Sequence, residues 1–198
     1  KVLEKITLPE NIAPKGSFIQ DLVVDDKNGW AYLADINNPS IIAVNLKTKE
    51  ARRFNNHPSL QAENVDMIID GKVIYAGDKP TRIGINPISL SAMNGKTWYE
   101  VPTKYFRDGE SDANIASMIK VNGQKPLSDG ACTDIKGNHY FTDLQAHAIT
   151  KLSHDGTLST LVQDDKLTWP DSVHFGPDQF IYISVNQLHT APYFTGQS

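Results

Sequence analysis

Three stretches of the chain share one rhythm of apolar and polar positions. DLVVDDKNGWAYLAD runs from Asp21 to Asp35, DGACTDIKGNHYFTD from Asp129 to Asp143, and DSVHFGPDQFIYISV from Asp171 to Val185. Each opens on Asp and crosses a turn centred on Asn-Gly, Lys-Gly or Pro-Asp. Each also places a tyrosine eleven residues after its opening Asp: Tyr32, Tyr140 and Tyr182. Period-two alternation on both sides of a Gly or Asx turn predicts an antiparallel hairpin. A second hairpin follows the first two of these. SIIAVNL and EARRFN flank KTK, and AITKLS and LSTLVQ flank HDGT, where Asp155-Gly156 is itself a hairpin signal. One unit is thus four short antiparallel strands. Asp129 and Asp171 lie 42 residues apart, and four strands in about 40–45 residues is the period of a propeller blade. The expected fold is all-β: a β-propeller of four-stranded antiparallel blades, forming a single domain over residues 1–198.

Laid along the chain, this pattern puts one blade at residues 17–55, strand pieces such as VDMIID and KVIYAG at 60–80, and the start of another blade at 83–107. A complete blade follows at 127–164, and one more begins at 168–198. The blade opened by IGINPISLS lacks the expected second strand with its tyrosine. Either it is irregular or residues are missing between Ser91 and Ala92. Helical signal is low; VPTKYFRDGESDANIASMI can hold one short turn, with Ser111 and Asp112 as caps. Trp30, Trp98 and Trp169, with Tyr32, Tyr99, Tyr140 and Tyr182, are expected to pack between blades. Arg52-Arg53 reads as part of an exposed outer strand.

Composition removes several function classes. Nineteen Lys and Arg against 23 Asp and Glu give a net charge of -4 with no basic stripe, which argues against nucleic acid. No run of 18 apolar residues is present, so no membrane span is expected, and KVLEKITLPE has no signal-peptide core. Cys132 is the only cysteine, which excludes an internal disulfide and a cysteine zinc site; within an alternating strand it reads as a small buried apolar residue. There is no Gly-rich phosphate loop and no Gly-x-Ser-x-Gly elbow.

What chemistry remains sits at the blade openings. The innermost strand of a blade lines the central channel, so the residues that open such strands, Asp21, Asn86, Asp129 and Asp171, would converge at the channel mouth if the ring closes. Oxygen donors of mixed charge suit a hard cation such as calcium or magnesium, and no soft set for copper or zinc is present. A cation could polarise a lactone carbonyl while a carboxylate activates water. The other reading is local: Asp before a strand turn caps it through its own side chain, and Asp25, Asp134 and Asp178 are read that way. Asp35 and Asp143, at strand ends, are read as solvated or hairpin-bound. Of the six histidines, His139 and His174 fall in strands, whereas His147 and His189 fall in loops from which they could reach a ligand at the mouth.

Several longer strings carry a family resemblance: DLVVDDKNGWAYLAD, IGINPISLS, NGKTWYEVPT, SDGACTDIKGNHYFTD and WPDSVHFGPDQFIYISVNQLH. They resemble the major royal jelly and yellow proteins, in their bacterial form. The resemblance implies a six-bladed propeller, extracellular or periplasmic, of which this chain is half to two thirds. That family is more distantly similar to the gluconolactonase and regucalcin propellers, which hold one divalent cation, commonly calcium, at the channel mouth. Carried over, the asparagine ligand is Asn86 and the aspartate that serves as ligand and base is Asp129. From their places at blade openings and in loops, Asp171 is a further metal candidate and Asp21, His147 and His189 are ligand-binding candidates. The Glu-Gly-Pro opening of those enzymes has no counterpart here, and Pro87 replaces their Gly. Two functions follow as expectations. One is metal-assisted hydrolysis of a sugar lactone; the other is a non-catalytic propeller that binds a small ligand or a protein.

Overall fold

A computed structural model describes residues 1–2, 4–86 and 90–196. Its first complete blade is an antiparallel sheet of β1 (Ile19–Asp25), β2 (Trp30–Asp35), β3 (Ser40–Asn45) and β4 (Ala51–Asn55), paired in chain order. Next come four two-residue strands in two small hairpins, β5 (Ile68–Ile69) with β6 (Lys72–Val73) and β7 (Tyr75–Ala76) with β8 (Lys79–Pro80). β9 (Thr97–Glu100) pairs with β10 (Lys120–Gln124) across two short helices, α1 (Lys104–Arg107) and α2 (Asp112–Ser117). The second complete blade is β11 (Ala131–Thr133), β12 (His139–Asp143), β13 (Ala148–Leu152) and β14 (Leu158–Gln163), and β15 (Pro170–Phe175) with β16 (Ile181–Val185) begins another. α3 (Pro192–Thr195) follows. These are the blades of a β-propeller.

The hairpins form where the pattern places them because the turn aspartates accept the turn's own N–H groups. Asp25 accepts from Asn28 N at 3.2 Å, Asp134 from Lys136 N and Asn138 N at 2.9 Å each, and Asp178 from Phe180 N at 3.2 Å. The repeated tyrosine closes the same turn. Tyr140 Oη donates to Asp134 at 3.1 Å and Tyr182 Oη to Asp178 at 2.7 Å, while in the first blade Arg107 Nη1 links Tyr32 Oη and Asp25, at 3.3 Å to each. Ser111 caps α2, its hydroxyl accepting from Asn114 N at 3.2 Å.

The blade starting at Ile83 is irregular: a single bridge joins Ile85 to Ala92, and the regular pairing passes to β9 and β10. Pro87, the departure noted in the NPIS opening, lies outside the described residues.

Two expectations change. Tyr182 is 58% exposed rather than packed between blades, because no further described sheet covers β16, whereas Tyr32 and Tyr140 are buried. Arg53 is not exposed: its guanidinium pairs with the fully buried Asp35 at 3.1 Å and also donates to Ile12 O. Burial alone would raise the Asp35 pKa. Donors from Ser17, Asn38, Arg53 and Phe18 outweigh it and hold the carboxyl below its usual value.

The core lies between sheets. Tyr140, Ile149 and Val173 join the second complete blade to β15, with Cys132 packed against them, and the Tyr140 and Phe175 rings meet edge-on at 5.1 Å. Tyr32, Phe54, Ile85, Phe106 and Ile115 join the first blade to α1 and α2.

Candidate functional site

The inner strands β1, β11 and β15 line a cleft of about 590 Å³, and Asn86, Asp129, Asp171, Asp21 and Cys132 open onto it. The blade openings Asp21, Asn86, Asp129 and Asp171, far apart in sequence, are thereby brought to one place, as propeller geometry requires. The described lining residues include three aspartates and no Lys or Arg.

Asp129 is the centre of this arrangement and only 5% exposed. One carboxylate oxygen accepts from Asn86 Nδ2 at 2.9 Å; the other accepts from Trp169 Nε1 at 2.7 Å. The backbone under it is fixed by Thr142, whose hydroxyl accepts from Asp129 N at 3.1 Å and from Gly130 N at 2.9 Å. Gly130 is required by close approach: a Cβ there would stand 2.3 Å from Asp171 O and 2.8 Å from Ser172 Cα. The Asp-Gly opening is therefore one device with two parts. The glycine lets neighbouring inner strands nearly touch, and that contact brings Asp171 beside Asp129. Burial first, and then the Asp171 carboxyl, push the Asp129 pKa well above the ordinary carboxylate range, against the pull of the Trp169 and Asn86 donors.

The other candidates are placed differently. Asp21 lies on β1 across the cleft, and one of its oxygens accepts from Leu22 N at 2.8 Å. His147 and His189 do not line the cleft. They converge on Asp70, with His147 Nε2 2.9 Å and His189 Nε2 3.9 Å from its oxygens. His189 also lies parallel to the Trp169 ring at 6.1 Å, behind the indole that holds Asp129. Cys132 lines the cleft as a thiol whose pKa is raised to about 11, by burial and then by Asp134, which keeps it protonated. Asp143 is bound within its hairpin, accepting from Ala146 N at 3.1 Å.

For a divalent cation, the donor chemistry fits. Asn86, Asp129 and Asp171 offer hard oxygen atoms and negative charge, with no Lys or Arg among the described lining residues. Among the described residues no group of three or more His, Cys, Asp or Glu could hold a metal ion, so the carboxamide of Asn86 would have to serve as a ligand. Trp169 and Thr142 are the site residues that sequence reading did not assign. Trp169 carried a signal, its place two residues before Asp171, but was read as packing; Thr142 carried none.

A family model matches residues 1–192, almost the whole chain. The chain belongs to the major royal jelly protein family. No curated protein sequence matches this royal jelly family member. Solved structures similar to it include a streptogramin B lyase, 16% identical with a TM-score of 0.56 over 93% of this chain and 52% of that one. Virginiamycin B lyase from Staphylococcus aureus is 16% identical with a TM-score of 0.51, over 84% of this chain and 48% of that one. A protein of unknown function from Bacteroides thetaiotaomicron is 16% identical, also with a TM-score of 0.51, over 85% of this chain and 45% of that one. At such identities the likeness is one of fold. The chain spans about half the length of these structures. No helix among the described residues is long and apolar enough to cross a membrane.

Proposed function

We propose that this royal jelly family propeller binds a small ligand at its channel mouth through a positively charged group. The observation that carries the reading is a carboxyl pair in the cleft: burial, and then Asp171 beside it, push the pKa of Asp129 up. Two carboxyls held side by side favour a cation or a proton. A single divalent cation, calcium first, would be held by Asn86, Asp129 and Asp171, and would polarise the carbonyl of a bound cyclic ester. No nucleic acid partner is expected of so acidic a cleft.

A second, catalytic reading rests on Asp129 itself. A buried carboxyl with a raised pKa, fixed by Asn86 and Trp169, is suited to accept a proton from water attacking a sugar lactone. Binding without turnover, or docking of a protein on the same face, is the alternative. Export from the cell or to the periplasm belongs to the proposal as the family resemblance implies it.

Thermal unfolding of the full chain with calcium, magnesium or benzylamine, each against a chelator control, tests the proposal. A ligand at a hundredfold excess over its dissociation constant adds about 2.7 kcal/mol of stability. A calcium shift that the chelator reverses, and that is lost in Asp129→Asn, supports a metal site; lactone assays follow. An equal shift in Asp129→Asn removes the site from the cleft.

A further inference from the structure

Asp70 stands between two histidines from distant parts of the chain. It sits in the turn of the β5–β6 hairpin at a φ of 51°. His147 comes from the turn between β12 and β13, also at a φ of 51°, and His189 from a short 3-10 turn, Leu188–Thr190, that follows β16. Residues other than glycine seldom take this left-handed backbone, and here two that do face each other. His147 Nε2 donates to Asp70 Oδ1 at 2.9 Å, and His189 Nε2 lies 3.9 Å from Asp70 Oδ2. Gln145 Nε2 donates to Ile68 O at 3.2 Å, a second tie between the hairpin and the blade.

The Asp70 carboxylate thus joins the second complete blade to residues 186–194. That segment also leans on Trp169 and β7. Asn186 N donates to Trp169 O and Gly77 N to Tyr193 O, each at 3.0 Å, and the His189 and Phe194 rings lie 6.1 and 5.7 Å from the indole. None of residues 186–194 is fully buried. A segment so placed can open while the blades stay folded.

Both rings are set in surroundings that favour the neutral form. With Nε2–H of His147 on the carboxylate, the Nδ1 of the neutral ring carries a lone pair. Charging either ring leaves an N–H at Nδ1, and both Nδ1 atoms are buried with no partner among the described residues. A buried donor left unpaired is costly. One carboxylate offsets one imidazolium, and Lys72 adds positive charge beside His189. Burial first holds the His189 pKa below its ordinary value; Asp70 opposes it, and His147 and Lys72 add to it. Among the described residues these three act on His189 from the hairpin and blade packed against it, and Asp129 lies beyond the Trp169 indole.

We propose that Asp70, His147 and His189 form an acid-sensitive clasp, which holds residues 186–194 in place while both rings are neutral and releases them in acid. Once the segment opens, the rings meet water and charge near the ordinary histidine value of about 6.5. Opening is therefore favoured as pH falls below that value, and the clasp is at full strength above it. The Trp169 N–H holds Asp129, so the clasp stands behind the channel mouth.

Hydrogen–deuterium exchange read by mass spectrometry on the full chain, corrected for the intrinsic effect of pH, tests this at about pH 7.5 and about pH 5.5, one unit either side of that value. One excluded proton shifts opening about tenfold per pH unit, so peptides from residues 186–194 should exchange about tenfold faster in acid. Residues 30–45 of the first blade should not respond. The double variant His147→Gln, His189→Gln keeps a donor near each Nε2 position and cannot charge, so it should lose the response. Asp129→Asn should keep it, which separates the clasp from the carboxyl pair at the mouth. If the double variant does not fold, the wild-type comparison of the segment with the first blade decides. Exchange that is unchanged or slower in acid, an equal response in the first blade, a response that survives in the double variant, or its loss in Asp129→Asn would overturn the assignment.

Discussion

Asp129 owes its position to the residues packed around it. Gly130 admits the neighbouring strand, Thr142 holds the backbone, and Trp169 and Asn86 clamp one carboxylate oxygen each. Replacing Gly130 by Ala should therefore destabilise the fold by about 1–3 kcal/mol, because backbone atoms of Asp171 and Ser172 would have to move. Chemical denaturation measures this, and an unchanged midpoint would mean that the inner strands are free to part. The site's acidic members were legible in the sequence because a propeller must bring strand openings together. The clamp was not, since the Asp129–Trp169 bond joins residues 40 apart through a side chain whose aromatic bulk suggests packing first.

Among elements, the repeated hairpin is the unit that both sequence and structure express most clearly. Its alternation, its turn aspartate and its tyrosine act together: the aspartate ties the turn, and the tyrosine hydroxyl returns to that aspartate in the hairpins of Asp134 and Asp178. Burial of the ring depends on a neighbouring sheet. Tyr140 is 8% exposed, packed against Val173 and Phe175 of the next sheet, so Tyr140→Ala should cost about 3–5 kcal/mol. Tyr182→Ala in this chain should cost far less, its ring being mostly exposed. Comparing the two unfolding midpoints checks the account, and equal losses would contradict it. The irregular blade from Ile83 was only partly readable, because one bridge between Ile85 and Ala92 leaves no alternation to detect. Arg53 was misjudged for a related reason: position on an outer strand does not reveal a buried partner such as Asp35.

For the whole molecule, a buried lysine links folding to pH. Lys125 is 3% exposed and donates to Pro126 O at 3.0 Å. Desolvation lowers its pKa to about 7, against the attraction of Glu63 and Asp143. Below pH 7 both folded and unfolded chains hold the proton. Between about 7 and the ordinary lysine value near 10.5 the unfolded chain holds it more tightly, so this residue makes stability rise with pH across that window. Lys125→Met should be more stable than the wild type at pH 7, and the difference should shrink towards pH 10. A pH-independent difference would mean that the lysine keeps its charge in the fold.

The larger question is whether the acidic mouth, assembled from three inner strands, takes up a cation. Isothermal titration calorimetry of the full chain with calcium, on the wild type and on Asp129→Asn, addresses it most directly. The account predicts one saturable site per chain in the wild type, with affinity lost or greatly weakened in the variant while its unfolding midpoint shows that it remains folded. Saturable binding of the same strength in both proteins would contradict it.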